Sequence, residues 1–146
     1  MKVLDLPPVW LAYFMLGAYA AEATLPLNAI PASSIVGWGL IILGVTLAAW
    51  AAIEFGRART AVMPRNTPSA IVTSGPYRFS RNPIYVADAM ILIGWGALLG
   101  SLWPLLLVLP FCWVIQERFI KSEEAELRRV FPAQWTAWAA ETRRWL

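Results

Sequence analysis

The chain has no histidine and a single cysteine, Cys112, in 146 residues. Without His the commonest general base is missing, and with one Cys a structural zinc site has too few ligands. An intrachain disulfide is impossible, and Cys112 carries no information about redox compartment. Charge is also scarce: 14% of residues are charged against 59% hydrophobic, outside the range of ordinary soluble domains. The net charge of +3 is too small to argue for a nucleic-acid partner. Internal repeats and low-complexity segments are absent as well.

What the chain does have is four apolar stretches, roughly Pro8 to Ala23, Ser34 to Ile53, Ile84 to Leu99 and Leu102 to Ile115. A bilayer core of about 30 Å needs about 20 apolar residues in a helix. The expectation is an all-α integral membrane protein, one domain over 1–146, with apolar helices at about 8–25, 34–54, 83–99 and 102–120. The last two are expected as a hairpin, tilted or not fully spanning, followed by cytoplasmic interfacial helices at the C-terminal end. Lys2 alone precedes the first stretch and no small-residue cleavage site follows it, so no cleavable signal is expected. Trp10 suits the membrane interface, and Glu22 reads as an interfacial charge. The segment from Gly56 to Pro83 carries Arg57, Arg59, Arg65, Arg78 and Arg81 with no acid, and the tail adds six further cations from Arg118 onward. The linker TLPLNAIPAS has none. The positive-inside rule therefore puts the long loop, the tail and both termini in the cytoplasm, with the Gly100-Ser101 turn outside.

The stretch SGPYRFSRNPIY, Ser74 to Tyr85, is the most structured polar feature. Asn is a good N-cap and Pro fits the first helical position, so Asn82-Pro83 is expected to open a helix. The free N–H groups of that turn, with Arg78 and Arg81 nearby, would form an anion site at the membrane edge. Asp88, one turn beyond Tyr85, is either a structural hydrogen-bonding group or part of a site. The pair Gly96-xxx-Gly100 reads as a close helix contact, and Pro110 predicts a bend near Leu106. Helical periodicity continues through RFIKSEEAELRRVF until Pro132. The final AQWTAWAAETRRWL is expected as a helix with Trp135, Trp138, Thr142 and Trp145 along one face, anchoring it to the membrane interface.

Polar residues thus concentrate at 74–85 and at Glu123 to Arg129, predicted on one side of the membrane. A ligand with a carboxylate at one end and hydroxyls or a cation at the other fits between them. Glu123 and Glu124 point about 100° apart on a helix, so at most one is expected in a narrow pocket while the other pairs with a surface base. On pattern alone, SEEAELRR also reads as a solvated helix with Glu-to-Arg pairs.

The order GPYRFSRNPIY, an apolar hairpin, then EEAELRRVFPAQWTAWAAETRRW resembles the isoprenylcysteine carboxyl methyltransferase and phospholipid methyltransferase superfamily of integral membrane enzymes. Its members carry GPYRxxRHPxY or GPYRxSRNPxY, then EExxLxxxFGxxYxxYxxxVxRW. The likeness spans about Pro64 to Trp145; here Asn82 replaces His of one branch, Pro132 replaces Gly, and Trp135 and Trp138 replace two tyrosines. The resemblance implies binding of S-adenosylmethionine at 64–146 on the cytoplasmic side, S-adenosylhomocysteine as product, and a lipophilic acceptor entering from membrane lipid. By position it places Gly75, Pro76, Tyr77, Arg81, Asn82, Pro83 and Tyr85 at the cofactor, with Glu123 and Glu124 on its polar groups. Glu123 and Arg129 would act at the reaction, Arg129 orienting an anionic acceptor. No metal is implied. The reaction expected is carboxyl O-methylation of an isoprenylcysteine; the alternatives are N-methylation of an ethanolamine phospholipid and a non-catalytic module binding anionic lipid through its arginines.

Methyl transfer from a sulfonium asks mainly for positioning and exclusion of water. A carboxylate acceptor is already ionised, whereas an amine must lose a proton, for which Asp88, Glu123 or Glu124 are candidates.

Overall fold

A computed structural model describes residues 5–27, 31–59 and 68–146. Lys2, Arg65, the Pro64 boundary and the middle of the TLPLNAIPAS linker lie outside the described residues. The described chain is helical: α1 (Pro7–Thr24), α2 (Ser34–Arg57), a 3₁₀ turn (Gly75–Arg78), α3 (Pro83–Leu99), α4 (Trp103–Ile115), a π turn (Gln116–Ile120), α5 (Lys121–Val130) and α6 (Pro132–Glu141). Proline stands at the first or second position of α1, α3, α4 and α6, where the missing N–H has no helical partner to lose. In α2 the Ser33 hydroxyl accepts from the Val36 N–H and caps the first turn.

Two helices among the described residues are long and apolar enough to cross a membrane: α2, with 24 residues, and the run Trp103–Val130, with 28. α3 is shorter, with 17 residues. Exposed apolar side chains stud these helices, among them Ile35 (89% exposed), Trp38, Ile42, Leu43, Leu109 and Trp113. A soluble chain would bury such surface; in lipid it is the natural outer face.

α2 and α3 pack most closely, because the main chains meet at glycines. A Cβ on Gly94 would stand 2.8 Å from the Gly37 carbonyl oxygen, and one on Gly44 2.9 Å from that of Ala87. Gly96 abuts Pro104 of α4, as a helix contact requires, whereas Gly100 has another task. It takes φ 66° to close the C-terminus of α3, so only one member of the expected pair is a packing position.

Two apolar clusters fill the interior. One joins Tyr85, Leu92, Phe111, Ile115, Phe119 and Ile120, with Phe14 of α1 edge-on to Phe111 at 5.3 Å. The other joins Ala51, Val72, Tyr77, Trp135 and Trp138. Close van der Waals packing of these side chains holds the helices together, since lipid is as apolar as they are.

As the helical periodicity through RFIKSEEAELRRVF leads one to expect, the fourth helix runs through Pro110 and the π turn into α5, so the apolar rod and the carboxylate-bearing helix are one continuous element. Two sequence expectations change. The last helix stops at Glu141, because Thr142 is extended (φ −121°, ψ 130°) and turns the chain back. Its tryptophans do not form a lipid-facing stripe. Trp135 and Trp138 are buried inside the protein, and Trp145, off the helix, packs against the Tyr85 cluster with its Nε1 3.3 Å from Gln116 Oε1.

Candidate active site

The 3₁₀ turn is fixed by its own chemistry. Gly75 sits at φ 57°, in the left-handed region, and its missing side chain leaves room for Glu54 and Trp50 of α2. The Ser74 hydroxyl donates to the Glu54 carboxylate, whose other oxygen accepts from Arg57 at 2.6 Å. Pro76 and Tyr77 are buried, and the Tyr77 carbonyl accepts from Trp138 Nε1 at 3.0 Å. Arg78 is exposed; Arg81 is not.

Asn82 does precede α3, but its side chain does not cap it. The Nδ2 amide donates to the Arg144 carbonyl at 2.9 Å, while the Tyr85 and Val86 N–H groups turn back to the Asn82 carbonyl. The helix start is therefore not the open anion site expected from sequence, since most of its donors are already used.

The segment after α6 completes the wall. Arg143 O accepts from the Arg81 N–H at 2.8 Å. The Arg144 guanidinium reaches Glu124 through Nε at 3.0 Å and Nη2 at 2.6 Å. Arg81 Nη2 lies 3.7 Å from the same carboxylate, and its guanidinium carbon stands 5.2 Å from the centre of the Trp135 ring. Hydrogen bonding to Glu124 raises the Arg144 pKa above its ordinary value, so its charge is permanent. Burial raises the Tyr77 hydroxyl above its usual range, and the negative charge of Glu123 adds to that, leaving it a neutral phenol.

These groups surround a cavity of about 540 Å³ at the end of the bundle where α1 and α3 begin and α2 ends. Of the residues expected at the site, Tyr77, Arg81, Asn82, Tyr85, Glu123 and Glu124 line it. Gly75, Pro76 and Pro83 are not among the lining residues; they belong to the 3₁₀ turn and the first turn of α3 that carry Tyr77 and Tyr85. Arg129 is elsewhere: its side chain is exposed and grips Glu126 through two hydrogen bonds, at 2.9 and 2.6 Å. The two glutamates do not divide as expected. Glu124 finds its base, Arg144, in the wall itself at 6% exposure, and Glu123 accepts from the Tyr85 hydroxyl at 2.8 Å. Both glutamates line the cavity.

Across residues 32–134 the chain matches the profile of a known family, described as phospholipid methyltransferase. The chain belongs to the phospholipid methyltransferase family. This makes it a membrane methyltransferase, and family membership implies S-adenosylmethionine as methyl donor. No curated protein and no solved structure gives a significant match. In this phospholipid methyltransferase family member two wall-forming residues stand out beyond the expected set, Arg144 and Trp135, while Asp88, open from sequence between a structural and a site role, lines the cavity. Arg144 occupies the arginine of the RW that closes the quoted motif, which was a usable signal; Trp135 stands in place of a motif tyrosine.

The residues present fit the donor. Its carboxylate needs a cation, and the Arg81 guanidinium has a buried Nε–H with no partner. Its ammonium and ribose hydroxyls need acceptors, which Glu123 and Glu124 provide, and its adenine needs flat apolar surface, which Tyr77 and Trp135 provide.

Proposed function

We propose that this chain methylates a lipophilic acceptor bound beside S-adenosylmethionine in the cavity, with the acceptor entering from the membrane. The observation that supports this reading is the meeting of two sequence-distant polar clusters, Arg81 to Tyr85 and Glu123 to Glu124, around one space. When bound, the cofactor supplies an electrophilic methyl on a sulfonium. The work left to the protein is positioning and drying. Arg81, oriented by Trp135, would hold the carboxylate end, and Glu123, oriented by Tyr85, the ammonium or ribose end. Gly75, Pro76 and Pro83 would hold the backbone that carries these groups. Leu6, Pro7, Ile84 and Leu127 give the cavity an apolar side for a lipid-like tail.

The topology belongs to the same proposal: four crossing helices, the arginine-rich loop and both termini in the cytoplasm, and membrane lipids as the surrounding partner. Asp5 meets Arg118 at the cavity end, while Glu22 meets Ser101 at the other, so polar groups gather at two opposite ends of an apolar bundle.

The acceptors in contention are the isoprenylcysteine carboxylate suggested by the sequence resemblance and an ethanolamine phospholipid. Arg129 does not line the cavity, and its side chain is committed to Glu126 at the rim, which leaves the anion-orienting role without support in geometry. To test the proposal, the detergent-solubilised chain is incubated with methyl-radiolabelled cofactor and a membrane lipid extract. Label should appear in the lipid phase. Its absence, together with retention on anionic vesicles, would instead favour a non-catalytic lipid-binding module.

A further inference from the structure

We infer that the outer face of the loop 78–82, with the segment after α6 that lies against it, is a docking surface for an anionic phospholipid in the leaflet on the cavity side. The inference rests on the topology proposed above for where that leaflet lies, and it adds a partner that the methyl transfer itself does not require.

The loop has two faces. Tyr77, Arg81 and Asn82 line the cavity, whereas Arg78 and Phe79 between them are exposed, the Phe79 ring to 70%. Phe79 comes just before Pro83, the first residue of α3, so it stands at the rim of the bundle. A large aromatic ring beside an arginine suits the boundary between headgroups and acyl chains, where the ring leaves water and the guanidinium stays in it.

The segment after α6 supplies a second cation. The Arg143 carbonyl accepts from the Arg81 N–H at 2.8 Å and the Arg144 carbonyl from Asn82 Nδ2 at 2.9 Å, so the main chain holds Arg143 against this loop. Its side chain is exposed, and Leu146, at the end of the same segment, is 74% exposed. Among the described residues neither Arg78 nor Arg143 has an ion pair or a side-chain hydrogen bond. By contrast Arg57, Arg118 and Arg129, also exposed, each hold a carboxylate. The acid nearest in sequence, Glu141, pairs with neither arginine and lies beside Thr73 and Gln134.

This combination selects a ligand chemistry. Two guanidinium groups without counter-ions attract a phosphate diester, and the negative surface of a cytoplasmic leaflet adds to that attraction. A zwitterionic headgroup carries its own cation and gains less. A free anion would use the arginines and leave the exposed ring without a partner, whereas a lipid uses both.

The test uses the full chain in nanodiscs of phosphatidylglycerol and phosphatidylcholine in equal parts, with the lipids that stay on the released protein identified by native mass spectrometry. The wild type should retain phosphatidylglycerol preferentially. Arg78→Gln with Arg143→Gln should lower that preference by about fivefold for each charge removed, while Arg78→Lys with Arg143→Lys keeps most of it. Phe79→Ser should lower it as well. Equal retention of the two lipids by the wild type overturns the inference, and so does a preference that survives the double Gln change. A preference untouched by Phe79→Ser overturns the assignment to a lipid in favour of a free anion. Should the double Gln variant fail to fold, the wild-type preference and Phe79→Ser still decide. Failure of the wild type to bind S-adenosylhomocysteine would instead defeat the methyltransferase reading without touching this result.

Discussion

Arg144 and Glu124, twenty residues apart, meet in a paired fork in which Nε and Nη2 of the guanidinium each donate to a separate carboxylate oxygen. That pair ties the segment after α6 to the first turn of α5. The Arg144 carbonyl also accepts from Asn82, so one residue fastens both halves of the cavity wall.

Arg144→Ala should therefore act on both fold and site. It strands the buried Glu124 with only Arg81, 3.7 Å away. Loss of one partner of a buried pair costs roughly 3–5 kcal/mol, but the Arg144 side chain is 35% exposed, so about 1–2 kcal/mol is expected after solvent screening. Thermal unfolding in detergent measures it, and S-adenosylhomocysteine affinity should fall in parallel. Arg144→Lys should recover only part of the loss, since an ammonium cannot make the fork.

Gly75→Ala should destabilise the 3₁₀ turn. The left-handed backbone alone costs an Ala about 1–2 kcal/mol. In addition, its Cβ would fall 2.8 Å from Glu54 Cγ and 3.0 Å from Trp50 Nε1. A lowered melting temperature is expected, and an unchanged one would show that the turn does not need this conformation.

Arg129→Ala should change little. Its guanidinium is exposed and does not line the cavity; it binds the half-buried Glu126 on the preceding turn of the same helix, and ion pairs open to solvent contribute little. Cofactor-product affinity and turnover are both expected to stay within about twofold. A selective loss of turnover would give Arg129 the acceptor-orienting role after all.

The topology makes a labelling prediction. In a Cys112→Ser background, cysteines at the exposed positions Thr73 and Thr136 should react with a membrane-impermeant maleimide from the cytoplasmic side only. One at the exposed Ala32 should react from the opposite side. Reaction of all three from one side would contradict four crossings.

Much of this architecture is legible in local sequence, and the illegible parts have identifiable causes. Proline at the first turns marks where α1, α3, α4 and α6 start, because the signal is a missing N–H at a fixed position. The joining of loop 74–85 to Glu123 and Glu124 was also foreseeable, since both bear compact polar motifs on one predicted side. By contrast, the fate of the Asn82 amide depends on a carbonyl 62 residues away, and no local pattern encodes that preference over capping. Trp135 and Trp138 show the same problem with hydrophobicity: an aromatic stripe is as suited to lipid as to a protein interior, and only packing against Tyr77 and Ala51 decides. The π turn is hidden because Gln116–Ile120 keeps a helical composition while its hydrogen bonds shift by one residue.

The most direct measurement is calorimetric titration of S-adenosylhomocysteine into the detergent-solubilised chain, alongside Glu123→Ala and the double variant Arg81→Ala with Asn82→Ala. The account predicts saturable micromolar binding to the wild type and its loss in both variants while they remain folded. Absence of binding to the wild type, or binding untouched by either change, would contradict a shared cofactor site between the two clusters.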